Sequence, residues 1–167
     1  TDHHEQSDGL PEAFAIVNPK RKDSKYPEKI LCGAGVVWKL IEALRLALLA
    51  QGKLNFKDGQ QKWLLDLVGL ATLADMVPLV GENRVLASYG LKVLRRNKRP
   101  GLAKLFSSLK INKNNVNEDD IAFMVTPRIN AASRMGLPHD AFELLATTDE
   151  SRAGILITHL NKINDER

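Results

Sequence analysis

Polar and apolar positions divide the chain into a short non-helical opening and a long series of helical periods. Residues 13–17 form a brief apolar run stopped by Asn18 and Pro19, the pattern of a buried strand ending in a turn. After Gly33-Ala34-Gly35, apolar side chains recur at Val37, Leu40, Ile41, Leu44 and Leu48. Steps of three and four predict an amphipathic helix, with Gly52 closing it. A polar loop through Asn55, Asp58 and Gly59 leads to a helix from about Gln61. Leu64, Leu65, Leu67, Val68 and Ala71 make it apolar around most of its circumference, so deep burial is expected, and it delivers Asp75 at its end.

Gly81-Glu82-Asn83-Arg84 opens another helix, with Val85, Leu86, Tyr89, Leu91, Val93 and Leu94 toward the core. Arg99-Pro100-Gly101-Leu102 turns the chain into a short helix through Phe106 and Leu109, and the asparagine-rich stretch 110–117 reads as a loop. Asn117 and Asp120 have the spacing of a capping arrangement for a helix toward Met124. Residues 126–136 combine Arg128, Asn130 and Arg134 with small residues. Such a loop brings guanidinium and backbone close to an anion, or else pairs its arginines with nearby carboxylates. Thr147 and Glu150 form a capping-box signature before a last helix with a narrow stripe at Ala153, Leu156, Leu160 and Ile163. No stop signal follows in residues 164–167, so this helix is expected to continue toward a second domain, a frayed end being the simpler alternative.

Composition narrows the class. With 167 residues, 44% of them hydrophobic, one ordinary core is expected. The net charge of +4, from 24 Lys and Arg against 20 Asp and Glu, is too mild for a histone-like binder. Its clustering matters more. Lys20-Arg21-Lys22 with Lys25 reads as a solvated loop, whereas Arg95-Arg96 with Lys98-Arg99 reads equally as a helix C-terminus or as a phosphate contact. The single cysteine, Cys32, allows no internal disulfide, and no zinc-ribbon spacing, signal peptide or membrane-length apolar run occurs. A reducing cytoplasm fits. An opening Thr1 suggests a segment of a longer polypeptide.

The chemistry concentrates at two places. Asp2-His3-His4 crowds one carboxylate and two imidazoles at what reads as a strand exit, a donor set suited to a divalent ion such as Mn2+. An exposed terminal loop is the plain alternative. Asp75 stands in a run otherwise uncharged from residue 68 to 80. Burial there would demand a metal, a hydrogen bond or an ion pair, and the alternatives are a cap for the helix near Asn83 or a bond to amides of the Pro78 turn.

In order along the chain, Asp2-His3-His4, Gly33-x-Gly35, Leu73-Ala74-Asp75-Met76-Val77-Pro78, Gly81-Glu82-Asn83-Arg84, Arg99-Pro100-Gly101-Leu102 and Pro127-Arg128-Ile129-Asn130-Ala131-Ala132-x-Arg134 resemble the RecJ family of bacterial single-stranded-DNA exonucleases. Asp-His-His alone indicates only the broader DHH phosphoesterase superfamily. The resemblance implies an α/β fold: the C-terminal portion of a DHH-type domain, the end of a parallel sheet followed by mostly helical structure. Residues 1–152 would belong to the catalytic domain and 153–167 to a connector helix leading to a DHH-associated domain.

It also implies that His3 and Asp75 are ligands of Mn2+ or Mg2+ and that His4 contacts the scissile phosphate or helps stabilise its developing charge. Asp2 would orient an imidazole, the alternative being a place close to the metals. Asn130 and Arg134 would reach the substrate phosphate, with Arg128 as a companion. Ser133 stands where the family usually has glycine, which puts a side chain where backbone could need to pass closely. The family's other metal-binding motifs are absent from this sequence, so the segment alone is expected to be inactive. The implied activity is 5′-to-3′ degradation of single-stranded DNA to mononucleotides, with single-strand-binding protein and a helicase as partners. Rival readings are a DHH phosphodiesterase for short oligonucleotides or cyclic dinucleotides, and a noncatalytic DHH scaffold.

Overall fold

The computed structural model describes residues 1–53, 57, 59–96 and 98–165. The chain divides into two compact units, Thr1–Gly90 and Leu91–Arg167. Expectations for Asn55, Asp58, Glu166 and Arg167 fall outside the described residues.

The first unit begins with 32 residues of irregular backbone. Residues 13–17, expected as a buried strand, form no ladder. They are mostly exposed, Phe14 fully so. An extended segment registers as a strand only when a neighbour completes its hydrogen bonds, and among the described residues no strand is present to do so. Helix α1, Gly33–Ala50, follows. It ends as expected, with Gly52 at φ +65° and backbone bonds from Gly52 to Leu49 O and from Lys53 to Leu48 O. Of its predicted apolar stripe, Leu40, Ile41 and Leu48 are half-buried and Val37 and Leu44 exposed; the buried residues of the helix, Gly35 and Val36, lie outside that stripe.

A 3-10 turn, Gln60–Leu64, enters helix α2, Leu65–Ala74. Val68, Leu70 and Leu73 are buried, as the all-round apolar pattern requires, together with Leu31, Cys32 and Val36. The α2 backbone meets helix α3, Gly81–Arg96, at paired glycines: a Cβ added to Gly69 would lie 2.6 Å from Gly90 Cα, so only glycine permits this approach. The loop between α2 and α3 is fixed by Asn83. Fully buried, it donates from Nδ2 to Ile30 O at 2.8 Å and Pro78 O at 3.2 Å.

The second unit packs helices α4, Pro100–Ser108, α5, Thr126–Arg134, α6, Pro138–Ala146, and α7, Glu150–Asp165. Its core includes Leu94, Leu102, Leu105, Phe106, Leu144 and Leu160. Asn117 and Asp120 form the expected reciprocal cap, each backbone N–H bonded to the other's side chain at 3.1 and 3.0 Å. The turn they open is π-helical over Asp120–Val125 and runs directly into α5. Residues 126–134 are thus helix rather than the expected loop. Pro127 sits in the first turn, where its missing N–H costs nothing, and Ala131 and Ala132 are the buried face. Helix α6 was not read from the sequence, although Pro138 at its start and Ala141 with Leu144 on its buried side carry the signal. The α7 cap is Asp149, whose Oδ1 accepts from the amides of Ser151 and Arg152 at 2.7 and 3.0 Å, rather than Thr147.

Candidate metal and phosphate site

Four of the predicted site residues come together in the first unit. The amide of Asp2 donates to Val17 O at 3.0 Å, anchoring the loop that follows. Asp2 Oδ1 accepts from the backbone amides of His3 at 2.7 Å and His4 at 3.3 Å, an aspartate folded back onto its own turn. The same oxygen lies 2.8 Å from His4 Nδ1. These contacts, the His4 imidazole first and the two amides after it, hold the Asp2 carboxyl down to about 2. With Nδ1 turned to Asp2, His4 presents Nε2 outward, as an acceptor when neutral and a donor when protonated.

His3 turns toward a different carboxylate. Its Nδ1 is 3.5 Å from Asp75 Oδ2, and its ring centroid is 4.3 Å from that of His4. Gly33 backs the ring: a Cβ there would stand 3.4 Å from His3 Cδ2. Asp75 follows the last residue of α2, its amide bonded to Ala71 O at 2.9 Å, and Met76 at φ +53° turns the chain away. The Asp75 side chain is 43% exposed. Burial therefore does not force a partner on it. Met76, Leu79 and Val80, the apolar neighbours that suggested desolvation, are themselves exposed, because adjacency along the chain here is not adjacency in the core. Among the described residues the carboxylate neither caps α3 nor bonds to an amide of the Pro78 turn.

His3, His4, Glu5, Lys20, Asp75 and Pro78 line a cavity of about 320 Å³. A positioning residue that sequence reading took only as a turn former is Asn18. Buried, it donates from Nδ2 to His4 O at 3.0 Å and accepts the Lys20 amide at 2.8 Å, so it fixes both sides of the loop. Lys20 in turn pairs with Glu5 at 3.1 Å, and Arg21 with Asp23 at 2.6 Å, which neutralises two cations of the first basic cluster.

The donor chemistry suits a divalent ion of the Mn2+ class. An imidazole nitrogen and a carboxylate oxygen face one another beyond the range of a well-formed hydrogen bond and open onto a cavity. Among the described residues no three His, Cys, Asp or Glu side chains converge, so His3 and Asp75 offer two donors and the remaining coordination positions need other ligands.

The other three predicted residues lie on α5 of the second unit. Asn130 and Arg134, four apart, share one exposed side of that helix. Arg128 is half-buried and donates from Nη1 to Met124 O at 2.9 Å, away from that pair. Ser133 is an exposed helical position, so its side chain meets no close backbone passage of the kind a loop would need.

No protein-family model matches the chain. Over its full length, however, it is 39% identical to the single-stranded-DNA-specific exonuclease RecJ of Bacillus subtilis strain 168, and it covers 20% of that protein. Along its whole length the chain is similar to a segment of RecJ. Of the solved RecJ structures, that of the Thermus thermophilus protein in complex with Mn2+ matches 99% of this chain at a TM-score of 0.80 and 32% identity, over 23% of its own length. An exonuclease RecJ bound to manganese matches 99% of this chain at a TM-score of 0.82 and 31% identity, over 40% of its own length. The fold is accordingly of the DHH type found in RecJ. The chain spans between a fifth and two fifths of the length of these relatives.

Proposed function

We propose that this chain forms part of the catalytic domain of a metal-dependent exonuclease that degrades single-stranded DNA from the 5′ end to mononucleotides in DNA repair and recombination. The carrying observation is the His3–Asp75 approach of 3.5 Å between residues distant in sequence, beside the Asp2–His4 pair. His3 and Asp75 hold Mn2+ or Mg2+, which when bound activates water for attack on the phosphodiester and stabilises the leaving oxygen. His4, oriented by Asp2, contacts the scissile phosphate through Nε2. Asn130 and Arg134 bind substrate phosphate, with Arg128 supporting the helix that carries them.

Residues 13–17 pair as the last strand of a parallel sheet in the complete protein, which accounts for an apolar run with no partner here. Residues 1–152 are the C-terminal part of the DHH domain. The helix from residue 153 begins a connector, and Ile155 on its exposed side is free to meet a further element. A cytoplasmic enzyme acting with single-strand-binding protein and a helicase completes the reading. No described helix is long and apolar enough to cross a membrane.

The test uses the full-length parent protein with Mn2+ and single-stranded DNA labelled at either end, beside Asp75→Ala. The expected result is mononucleotide release from the 5′ label, lost in the variant. Survival of long DNA with cleavage of dinucleotides would replace this reading with a small-substrate phosphodiesterase, and no metal-dependent cleavage of either would leave a scaffold.

A further inference from the structure

The cavity that holds His3, His4 and Asp75 also carries Lys20, which the proposed chemistry leaves unused. In sequence it belongs to the run Lys20-Arg21-Lys22, which reads as a solvated loop. The structure separates the three cations. Arg21 is spent on Asp23 at 2.6 Å and on Ile16 O at 2.9 Å, and Lys22 is exposed and takes no part in lining the cavity. The Lys20 side chain is 24% exposed and forms part of the cavity wall. Its place there is tied to that of His4. Asn18 accepts the Lys20 amide at 2.8 Å and donates to His4 O at 3.0 Å, while the Lys22 amide donates to Gln6 Oε1 at 3.2 Å. Residues 18–22 are thereby fastened along residues 4–6 through backbone groups, so the position of Lys20 does not depend on what its ammonium binds.

That ammonium is answered by Glu5, whose Oε1 lies 3.1 Å from Nζ. The Glu5 side chain is 82% exposed, so water and salt screen the pair and an entering anion competes with it. Lys39 shows the contrast: its carboxylate, Glu82, is 38% exposed and held from a second side by the Tyr26 hydroxyl at 2.6 Å, a network with a structural purpose. The Lys20 pair has no such second tie. An ammonium on a four-carbon stem can turn from carboxylate to phosphate without moving its loop, and Glu5 can swing out into water as it does so.

We propose that Lys20 is a substrate-binding residue: its ammonium pairs with a phosphate of the single strand lodged in the His3, His4 and Asp75 cavity, and Glu5 masks it until the strand arrives. The proposal rests on the nuclease reading above. Its test is binding of a labelled single strand of about 30 nucleotides to the full-length parent protein, followed against salt concentration with metal withheld. Loss of one phosphate contact in Lys20→Gln should flatten the slope of log K against log salt by about 0.7 and weaken low-salt binding roughly fivefold or more. Lys20→Arg should keep the wild-type slope, and so should Lys22→Gln, which removes the same charge from the same loop outside the cavity. Glu5→Gln should tighten binding in the otherwise native protein and have no effect in Lys20→Gln, because the carboxylate acts through the lysine it masks.

An unchanged slope in Lys20→Gln overturns the role of Lys20 while leaving the nuclease reading intact. Equal flattening in Lys22→Gln also overturns it, since net charge rather than the cavity would then be responsible, and so does a Glu5→Gln gain that persists without Lys20. Wild-type protein that neither binds nor cleaves single strands overturns both readings.

Discussion

Gly101, at the start of α4, offers the most demanding test of the packing described for the second unit. A Cβ built on it would fall inside the van der Waals radius of Leu144 O and 2.7 Å from the carbonyl carbon. Ordinary contact begins near 3.4 Å. Both atoms are helical backbone in α6, which cannot rotate away as a side chain could. In Gly101→Ala, α4 and α6 must therefore separate, and the buried contacts of Leu102, Leu105 and Leu144 loosen with them. Overpacking costs typically 1–3 kcal/mol, and the lost packing adds to it, so about 3 kcal/mol is expected.

Unfolding of a multidomain protein is not two-state, so the local readout is amide hydrogen exchange in the full-length protein over residues 100–108 and 138–146. Exchange there should accelerate by roughly two orders of magnitude, each 1.4 kcal/mol being about tenfold. Gly154→Ala is the opposite control. It sits inside α7 with nothing within 4 Å of the added methyl, and it should slow exchange, stabilising the helix by about 0.5–1 kcal/mol. If both substitutions had the same sign, the close α4–α6 approach would be wrong.

Three further outcomes are expected. Because the His4 imidazole is the first cause of the low Asp2 value, His4→Ala should raise the Asp2 midpoint from about 2 toward 3.8 in a carboxyl NMR titration, and an unmoved midpoint would refute the pair. Asn83→Leu leaves the Ile30 and Pro78 carbonyls without their donor, costing about 2–3 kcal/mol and exposing amides of 77–83 to exchange; wild-type protection there would count against the clamp. Partial burial pushes the Glu82 carboxyl up, but bonds from Tyr26 at 2.6 Å and Lys39 at 2.9 Å outweigh it and hold the group below its ordinary 4.5. Its contribution is therefore complete above 4.5 and lost as pH falls through the lower folded value, so Glu82→Gln should reduce the acid-side loss of thermal stability.

Helices were legible where an apolar face and a chemical stop coincided. Gly52 ended α1 and the Asn117–Asp120 exchange opened the turn before α5, both as their local chemistry dictates. Residues 126–134 misled because Pro127 and small side chains resemble loop composition, yet proline in a first turn and alanines against a core are equally good helix. Residues 13–17 failed as a strand for another reason: pairing is a property of two segments, and one sequence window holds only half of it. At the site, residue types pointed to Asp2, His3, His4 and Asp75, but not to the partnership of His3 with Asp75 and of His4 with Asp2. Nor could they show Asn18 holding the His4 carbonyl, since a turn residue and a buried clamp look alike in sequence.

The two carboxylate–imidazole pairs differ in when they can exist. Asp2 and His4 are neighbours along the chain and can meet as soon as both leave the ribosome. His3 and Asp75 must wait until α2 has formed and docked, because only the finished fold spans the distance between them. The second pair thus depends on tertiary structure and the first does not. The His3–Asp75 juxtaposition is therefore a property of the completed fold, whereas the Asp2–His4 pair is a property of a four-residue peptide.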